Sequence, residues 1–289
     1  MDHIENAILV AIGRHGSDAA IEFAISEARR TQSAVHLVQV APITSPVEDT
    51  GTYPAAAATA EAELEQALAH ARKRGGDTGT DVSGERIDSR KTVDGLVRLA
   101  DRGRMIVLQQ RRISGLHRIL TGSTINGVAS RADVPAVAVP EDWSATNDEA
   151  PVTVAVQDPG EAHRLLRAGF EQARARGTSL NVLHAWWVAG TYELFLVDED
   201  VRRDWTTRTR AELEPVVEEY AAEFPDVKVE LEIRHGVPID ALMDASRRSS
   251  LLVLGRRHHL LPLGSHLGPV ARTTLHHSAC PVLMVPAAT

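Results

Sequence analysis

Residues 251–286 read LLVLGRRHHLLPLGSHLGPVARTTLHHSACPVLMVP. The stretch begins with an apolar run that ends at Gly255, passes through a loop of Arg, His and Gly, and finishes with a second apolar run before Pro286. Apolar runs without alternation are typical of parallel strands that are covered on both faces. A glycine-bearing loop that enters a helix near Gly268 offers backbone N–H groups that can receive phosphate. The stretch therefore predicts strand, loop, helix and strand, with a nucleotide-type crevice at the loop.

The same pattern occurs earlier in the chain. Residues 105–140 read MIVLQQRRISGLHRILTGSTINGVASRADVPAVAVP. Gly122 aligns with Gly268 and Pro140 with Pro286, and both pairs are 146 residues apart (268 − 122 and 286 − 140). We conclude that the chain is an internal duplication.

Hydrophobic periodicity predicts the helices that lie between the strands. In the first helix, which is predicted to begin at Asp18 as its N-cap, the apolar residues recur at i, i+3, i+4 and i+7, the spacing of one buried face. These four are Ile21, Ala24, Ile25 and Ala28. The Ala- and Glu-rich residues 54–73 predict a second helix that ends before Gly75 and Gly76, because glycine commonly follows the last helical residue.

Each half supplies five apolar strands that alternate with helices, which predicts a doubly wound α/β domain on a five-stranded parallel sheet. Residues 142–151 are polar, acidic and without periodicity, and they are predicted to link the halves. The predicted domains are residues 1–141 and 151–289. Ligands of such sheets bind beyond the carboxyl ends of the strands, where the strand order reverses.

Composition excludes several classes of function. The 289 residues carry a formal net charge of −8, with a pI near 5.9, so no broad basic field is available for nucleic acid. The single cysteine, Cys280, cannot form an internal disulfide. The N-terminus lacks the basic and apolar regions of a secretory signal, and no apolar run is long enough to cross a bilayer. A cytoplasmic protein that binds neither nucleic acid nor membrane is expected.

The two repeats resemble the universal stress protein family in its tandem two-domain form. The family pattern is G-x2-G-x9-G-[S/T], preceded by an apolar strand and followed by a helix, His-His and a Cys-Pro-Val strand. In the second half Gly255 and Gly268 match, whereas His258 and Pro269 do not; in the first half Gly122-Ser123 matches, whereas Gln109 and Arg112 replace the first two glycines. The resemblance implies an adenine nucleotide alpha hydrolase-like fold, with the two halves packed as a pseudo-dimer.

The family's strand order, 3-2-1-4-5, places the crevice between strands 1 and 4. Its lining is then Gly13 and Gln109 in the first half, and Gln157 and Gly255 in the second. Family members that bind ATP usually carry an Asp at the end of strand 1, where this chain has Gly13 and Gln157. Asp158 is adjacent to Gln157, but its side chain is expected to point elsewhere. Recognition of adenine is therefore expected to be weakened in both halves.

The first half is predicted to keep the better phosphate site. Gly122, Ser123 and Thr124 open a helix, and Arg111 and Arg112 supply positive charge nearby. The competing interpretation is that Ser123 is an ordinary N-cap.

In the second half Pro269 removes one N–H group and the hydroxyl, although proline suits the first position of a helix. Gly264 and Ser265, beside Arg256 and Arg257, could offer a displaced anion site.

Five histidines and Cys280 in the second half raise a metal hypothesis. A zinc site requires three or four convergent ligands, and no pair here has i, i+4 spacing with a third partner in view. A structural role is preferred for His258, His259, His266, His276 and His277. No metal site and no catalytic residue are predicted.

The favoured function is a stress-response protein that binds a ligand or a regulatory protein partner and has degenerate nucleotide-binding motifs. No cofactor is certain; ATP or another adenine nucleotide, or a small anion, is the candidate ligand. The alternative is an ATP-binding protein that hydrolyses ATP slowly at the first-half site, which requires a metal and a positioned water. A third hypothesis is a purely structural pseudo-dimer. The last strands of the halves, residues 134–139 and 280–285, are predicted to pair because they would otherwise be exposed apolar edges.

Overall fold

The computed structural model describes residues 4–13, 16–43, 52–110, 123–145, 149–188, 197–256 and 267–287. In the first half the strands are β1 (Ile8–Ile12), β2 (Val35–Pro42), β3 (Val82–Ser89), β4 (Met105–Gln109) and β5 (Ala136–Val139). The helices there are α1 (Asp18–Thr31), α2 (Thr52–Gly76), α3 (Thr92–Ala100) and α4 (Ser123–Ala129).

The second half repeats this order. Its strands are β6 (Val152–Ala155), β7 (Leu180–Trp186), β8 (Val229–His235), β9 (Leu251–Gly255) and β10 (Val282–Val285). Its helices are α5 (Ala162–Arg176), α6 (Glu199–Glu223), α7 (Pro238–Ser246) and α8 (Pro269–His277), and a 3-10 turn, Pro159–Glu161, precedes α5.

The chain divides into two compact units. One consists of residues 1–145 and 256–268, and the other of residues 146–255 and 269–289. No helix within the described ranges is both long enough and apolar enough to span a membrane.

The sheet topology of each half confirms the doubly wound, five-stranded prediction. The strand order is β3-β2-β1-β4-β5 in the first half and β8-β7-β6-β9-β10 in the second, which corresponds to 3-2-1-4-5 in both. Every pairing within a half is parallel. The order reverses between β1 and β4, and between β6 and β9, so the carboxyl ends of these strands bound the two crevices.

Central strands are buried on both faces, as continuous apolar sequence predicts. Leu9 and Val10 of β1 point to opposite faces of the sheet, and both side chains are buried. Val10 lies in register with Leu37 of β2 and Val107 of β4, which are fully buried as well. Full burial of such a side chain contributes about 1.5–3 kcal/mol, so the middle of the sheet supplies much of the stability of each half.

Helix α1 confirms the predicted buried face and corrects its N-cap. Ile21, Ala24, Ile25 and Ala28 are all buried. The N-cap is Ser17, whereas Asp18 is the first helical residue. An aspartate in the first turn still interacts favourably with the helix dipole, which explains why the sequence signal lies one residue too late.

Helix α2 runs through the two glycines that were predicted to follow its end. It extends to Gly76, and the chain then reverses through a turn in which Gly79 has φ +69°. Gly75 stands in the last turn because a Cβ there would lie 2.9 Å from Cγ2 of Val82, at the start of β3. Close packing, rather than helix termination, therefore requires this glycine. By contrast, Gly177 ends α5 with φ +64°, the left-handed conformation that commonly follows the last helical residue.

Candidate functional site

The base of the first-half crevice is closed by an amide side chain. Gln109 is the last residue of β4, and its Oε1 accepts hydrogen bonds from the backbone N–H groups of Ala19 (3.0 Å) and Ala20 (3.3 Å). These two groups belong to the first turn of α1, where backbone donors have no partner within the helix. A neutral oxygen of the protein thus satisfies these two donors at the start of α1.

The end of β1 in the same crevice has no side chain at Gly13. Gly13 is exposed, and among the residues that the structure describes, no atom beyond its chain neighbours lies within 4 Å of where its Cβ would be. Its backbone N–H donates to Oγ of Ser17 at 3.0 Å. This strand end therefore offers neither a carboxylate nor a side chain at Gly13.

In the second half the guanidinium of Arg164 lies beside Gly255, the residue that corresponds to Gln109. Gly255 ends β9, and a Cβ on it would lie 3.1 Å from Cδ2 of Leu165 and 3.5 Å from Nη2 of Arg164. Nη1 of Arg164 donates to the backbone oxygen of Val285 at 3.1 Å and to that of Pro286. Gly255 thus packs closely against α5, and Arg164 ties the first turn of that helix to the end of β10.

The end of β6 presents amide and imidazole groups. Gln157 is exposed, and the neighbouring Asp158 accepts a hydrogen bond from the backbone N–H of Gly160 at 2.8 Å, so its carboxylate caps the 3-10 turn. Nδ1 of His184, on β7, lies 2.9 Å from the backbone oxygen of Val156. A carbonyl oxygen can only accept, so Nδ1 carries the proton. Burial lowers the pKa of His184, which favours the neutral ring.

The structure describes only part of the predicted phosphate sites. Helix α4 begins at Ser123, Thr124 in its first turn is half-buried, and Gly268 directly precedes Pro269, the first residue of α8. Outside the described residues lie Arg111, Arg112, Gly122, Arg257, Gly264 and Ser265.

The described part of the chain gives the metal hypothesis no support. Within it, no three His, Cys, Asp or Glu side chains converge on a common point. His276 and His277 end α8, whereas His258, His259 and His266 lie outside the described residues. Cys280 is buried, and burial raises the pKa of its thiol to about 12. An uncharged buried thiol is a poor ligand and a poor nucleophile.

Two contacts of the crevices were not predicted from sequence. Gln109 was identified as a lining residue but not as a partner of α1, and Arg164 was not identified at all. The only sequence signal for Arg164 is its place: it is a cation that follows shortly after Gln157, the strand-end residue that corresponds to Gly13.

The comparisons with known proteins agree with this architecture. The model of the universal stress protein family matches residues 6–140 and again residues 150–286. A universal stress protein from Mycolicibacterium smegmatis is 26% identical over 295 residues, which cover 97% of each chain. A universal stress protein from Mycobacterium tuberculosis is 26% identical over 212 residues, 73% of this chain and 70% of the relative.

Among solved structures, a universal stress protein from Archaeoglobus fulgidus superposes with a TM-score of 0.71 at 16% identity, covering 97% of this chain and 98% of that one. At this identity the superposition concerns the fold alone. Two family matches that together span nearly the whole sequence decide the assignment: the chain belongs to the universal stress protein family and carries two of its domains in tandem.

Proposed function

We propose that this chain is a regulatory, ligand-binding protein whose crevices hold adenine nucleotides weakly and do not turn them over. The observation that supports the proposal most directly is the hydrogen bonding of Gln109. Its side chain accepts from two N–H groups of α1, at the base of the crevice, that have no partner within the helix. The uncharged ends of β1 and β6, at Gly13 and Gln157, support the same conclusion, because neither offers a carboxylate to the ligand.

Residual binding is assigned to the first half. Its loop keeps the Gly122-Ser123-Thr124 sequence and two arginines, Arg111 and Arg112. In the second half Pro269 has no N–H group, and Nη1 of Arg164 donates to backbone carbonyls. Both differences favour the first half as the phosphate-binding side.

Calorimetric titration with ATP, ADP, AMP and cyclic AMP tests this proposal. We expect weak binding, with at most one site per chain. Replacing Ser123 or Arg111 with Ala should weaken the binding of any phosphate-bearing ligand by roughly 1–3 kcal/mol, because charge-assisted hydrogen bonds are lost. The variant Ser265→Ala tests the displaced anion site of the second-half loop, and it should leave the affinity unchanged if binding belongs to the first half. Sub-micromolar affinity for ATP, or two ATP molecules copurifying per chain, would contradict the proposal.

Slow ATP hydrolysis is the alternative function. It requires a metal ion and a positioned water at the first-half loop. Phosphate release in the presence of Mg²⁺ distinguishes the two functions: turnover that Ser123→Ala abolishes would favour the enzyme, whereas release at the background rate favours the binding protein.

We further propose that the two halves form an intramolecular pair through their last strands. The apolar sequences of residues 134–139 and 280–285 support this, because unpaired apolar edges promote aggregation. Cysteine pairs introduced into the two segments should crosslink within one chain; crosslinks that form only between chains would overturn the pairing.

A further inference from the structure

A groove outside both crevices concentrates positive charge. It lies in the first unit, beside the carboxyl end of β3 and the first turns of α3, and has a volume of about 580 Å³. We call it the α3 groove. Four cations and two acids line it: Arg90, Lys91, Arg98, Arg131, Asp88 and Asp94. None of the crevice residues belongs to it.

Both acids of the groove are already paired. Oδ1 of Asp94 accepts from Nη1 of Arg131 at 2.6 Å, and this hydrogen bond lowers the pKa of Asp94. Asp88 pairs with Arg86, a cation outside the groove, at 2.5 Å. Each of the two carboxylates therefore already has a cationic partner.

Two cations remain available. Arg90 and Lys91 are exposed, and neither has a hydrogen-bonded or ion-pair side-chain partner among the residues that the structure describes. They extend from the segment between β3 and α3, next to Arg98 on the following helix. The groove thus carries excess positive charge on a chain whose net charge is −8.

The second half shows that the fold does not require this charge. It builds the same junction from β8 and α7, and α7 has nine residues, like α3. At the 146-residue offset, Arg90, Lys91 and Arg98 correspond to Gly236, Val237 and Asp244. The cations are therefore a property of the first half rather than of the architecture.

We propose that the α3 groove binds a small polyanion with two or more phosphate or carboxylate groups. The groove's volume lies within the roughly 300–1,000 Å³ of small-molecule sites. Arginine presents a planar fork that matches phosphate and carboxylate oxygens, and lysine adds a mobile point charge. Arg90 and Lys91 make the direct contacts, while the Arg131–Asp94 pair holds the wall of the groove.

Calorimetry with inorganic pyrophosphate and, separately, with citrate tests the proposal and distinguishes phosphate from carboxylate ligands. The parent should bind one of them saturably at low ionic strength, and added salt should weaken the binding. The double variant R90A/K91A should lose at least about tenfold in affinity. R72A/K73A is the matched control, since it removes a consecutive, exposed Arg-Lys pair of α2 that does not line the groove.

Three results would overturn the proposal: no saturable binding by the parent, full affinity in R90A/K91A, or an equal loss in R72A/K73A. The variant Ser123→Ala separates this site from the nucleotide crevice. If Ser123→Ala abolishes pyrophosphate binding and R90A/K91A does not, the anion belongs to the crevice. The thermal midpoint of R90A/K91A without ligand should equal that of the parent, which shows that the fold is intact.

Discussion

Oε1 of Gln109 accepts a hydrogen bond from the backbone N–H of Ala19 at 3.0 Å, across 90 residues of sequence. The contact joins the end of β4 to the first turn of α1, at the point where the sheet reverses its strand order. One side chain therefore serves as a long-range helix cap and as the floor of the first-half crevice. Changes at this position should alter both the stability of the first half and its access to anions.

Replacing Gln109 with Ala should destabilise the first half by about 1–2 kcal/mol, because two backbone N–H groups lose their acceptor. For a domain of this size that corresponds to a fall of roughly 2–8 °C in the thermal midpoint, measured by circular dichroism. Gln109→Glu should recover much of the loss at neutral pH, since a carboxylate accepts the same bonds and complements the helix dipole. The exposed Gln66→Ala on α2 is the control; a Gln109→Ala protein as stable as this control would refute the capping role.

Sequence patterns predicted most of the fold because the decisive information is local. The ends of β4 and β9, Gln109 and Gly255, were predicted to the residue, since each strand is an apolar run with a polar residue or glycine at its end. The end of α2 was predicted wrongly, because glycine usually terminates helices, whereas Gly75 is required by its contact with Val82. A rule based on local preference cannot detect a contact of that kind.

The interior of the crevices could not be predicted for the same reason. The partners of Gln109 and Arg164 are backbone groups 90 and 121 residues away in sequence. No composition or spacing rule connects such positions. The resemblance to the family supplied the strand ends that line the crevices, but not the side chains that fill them.

Arg164 should contribute more to stability than its neighbour Arg167, one turn further along α5. Arg164 is half-buried and donates to two backbone oxygens, whereas Arg167 is exposed and pairs with Glu223 at 2.8 Å. Removing Arg164 leaves carbonyl groups at the end of β10 without that donor, at a cost of about 1–2 kcal/mol. The exposed pair contributes less, because water screens both of its charges. Urea unfolding of Arg164→Ala and Arg167→Ala compares them directly, and equal losses would contradict the assigned role of Arg164.

Cys280 should be unreactive in the folded protein. Its thiol is buried, and a pKa raised to about 12 leaves almost no thiolate at pH 8. A disulfide reagent such as DTNB should therefore label it only as fast as the protein unfolds, so the labelling rate should rise with urea along the unfolding transition. Stoichiometric labelling within seconds under native conditions would show that the thiol is accessible.

His184 should make the second half less stable as the pH falls. Burial lowers the pKa of the folded imidazole below the value of about 6.5 that is expected in the unfolded chain. Between these two pKa values the unfolded state binds more protons, so the contribution of His184 is fully present above pH 6.5 and is lost as the pH falls through the folded pKa.

The variant His184→Asn isolates this effect, because its amide can still donate to the oxygen of Val156 but does not titrate. We expect the free energy of unfolding, measured by urea titration from pH 7.5 to pH 5, to fall less steeply in His184→Asn than in the parent. The exposed Gln66→Ala on α2 removes no titrating group; it is the control and should keep the slope of the parent. If the slopes of His184→Asn and the parent coincide, protonation of His184 is not coupled to unfolding.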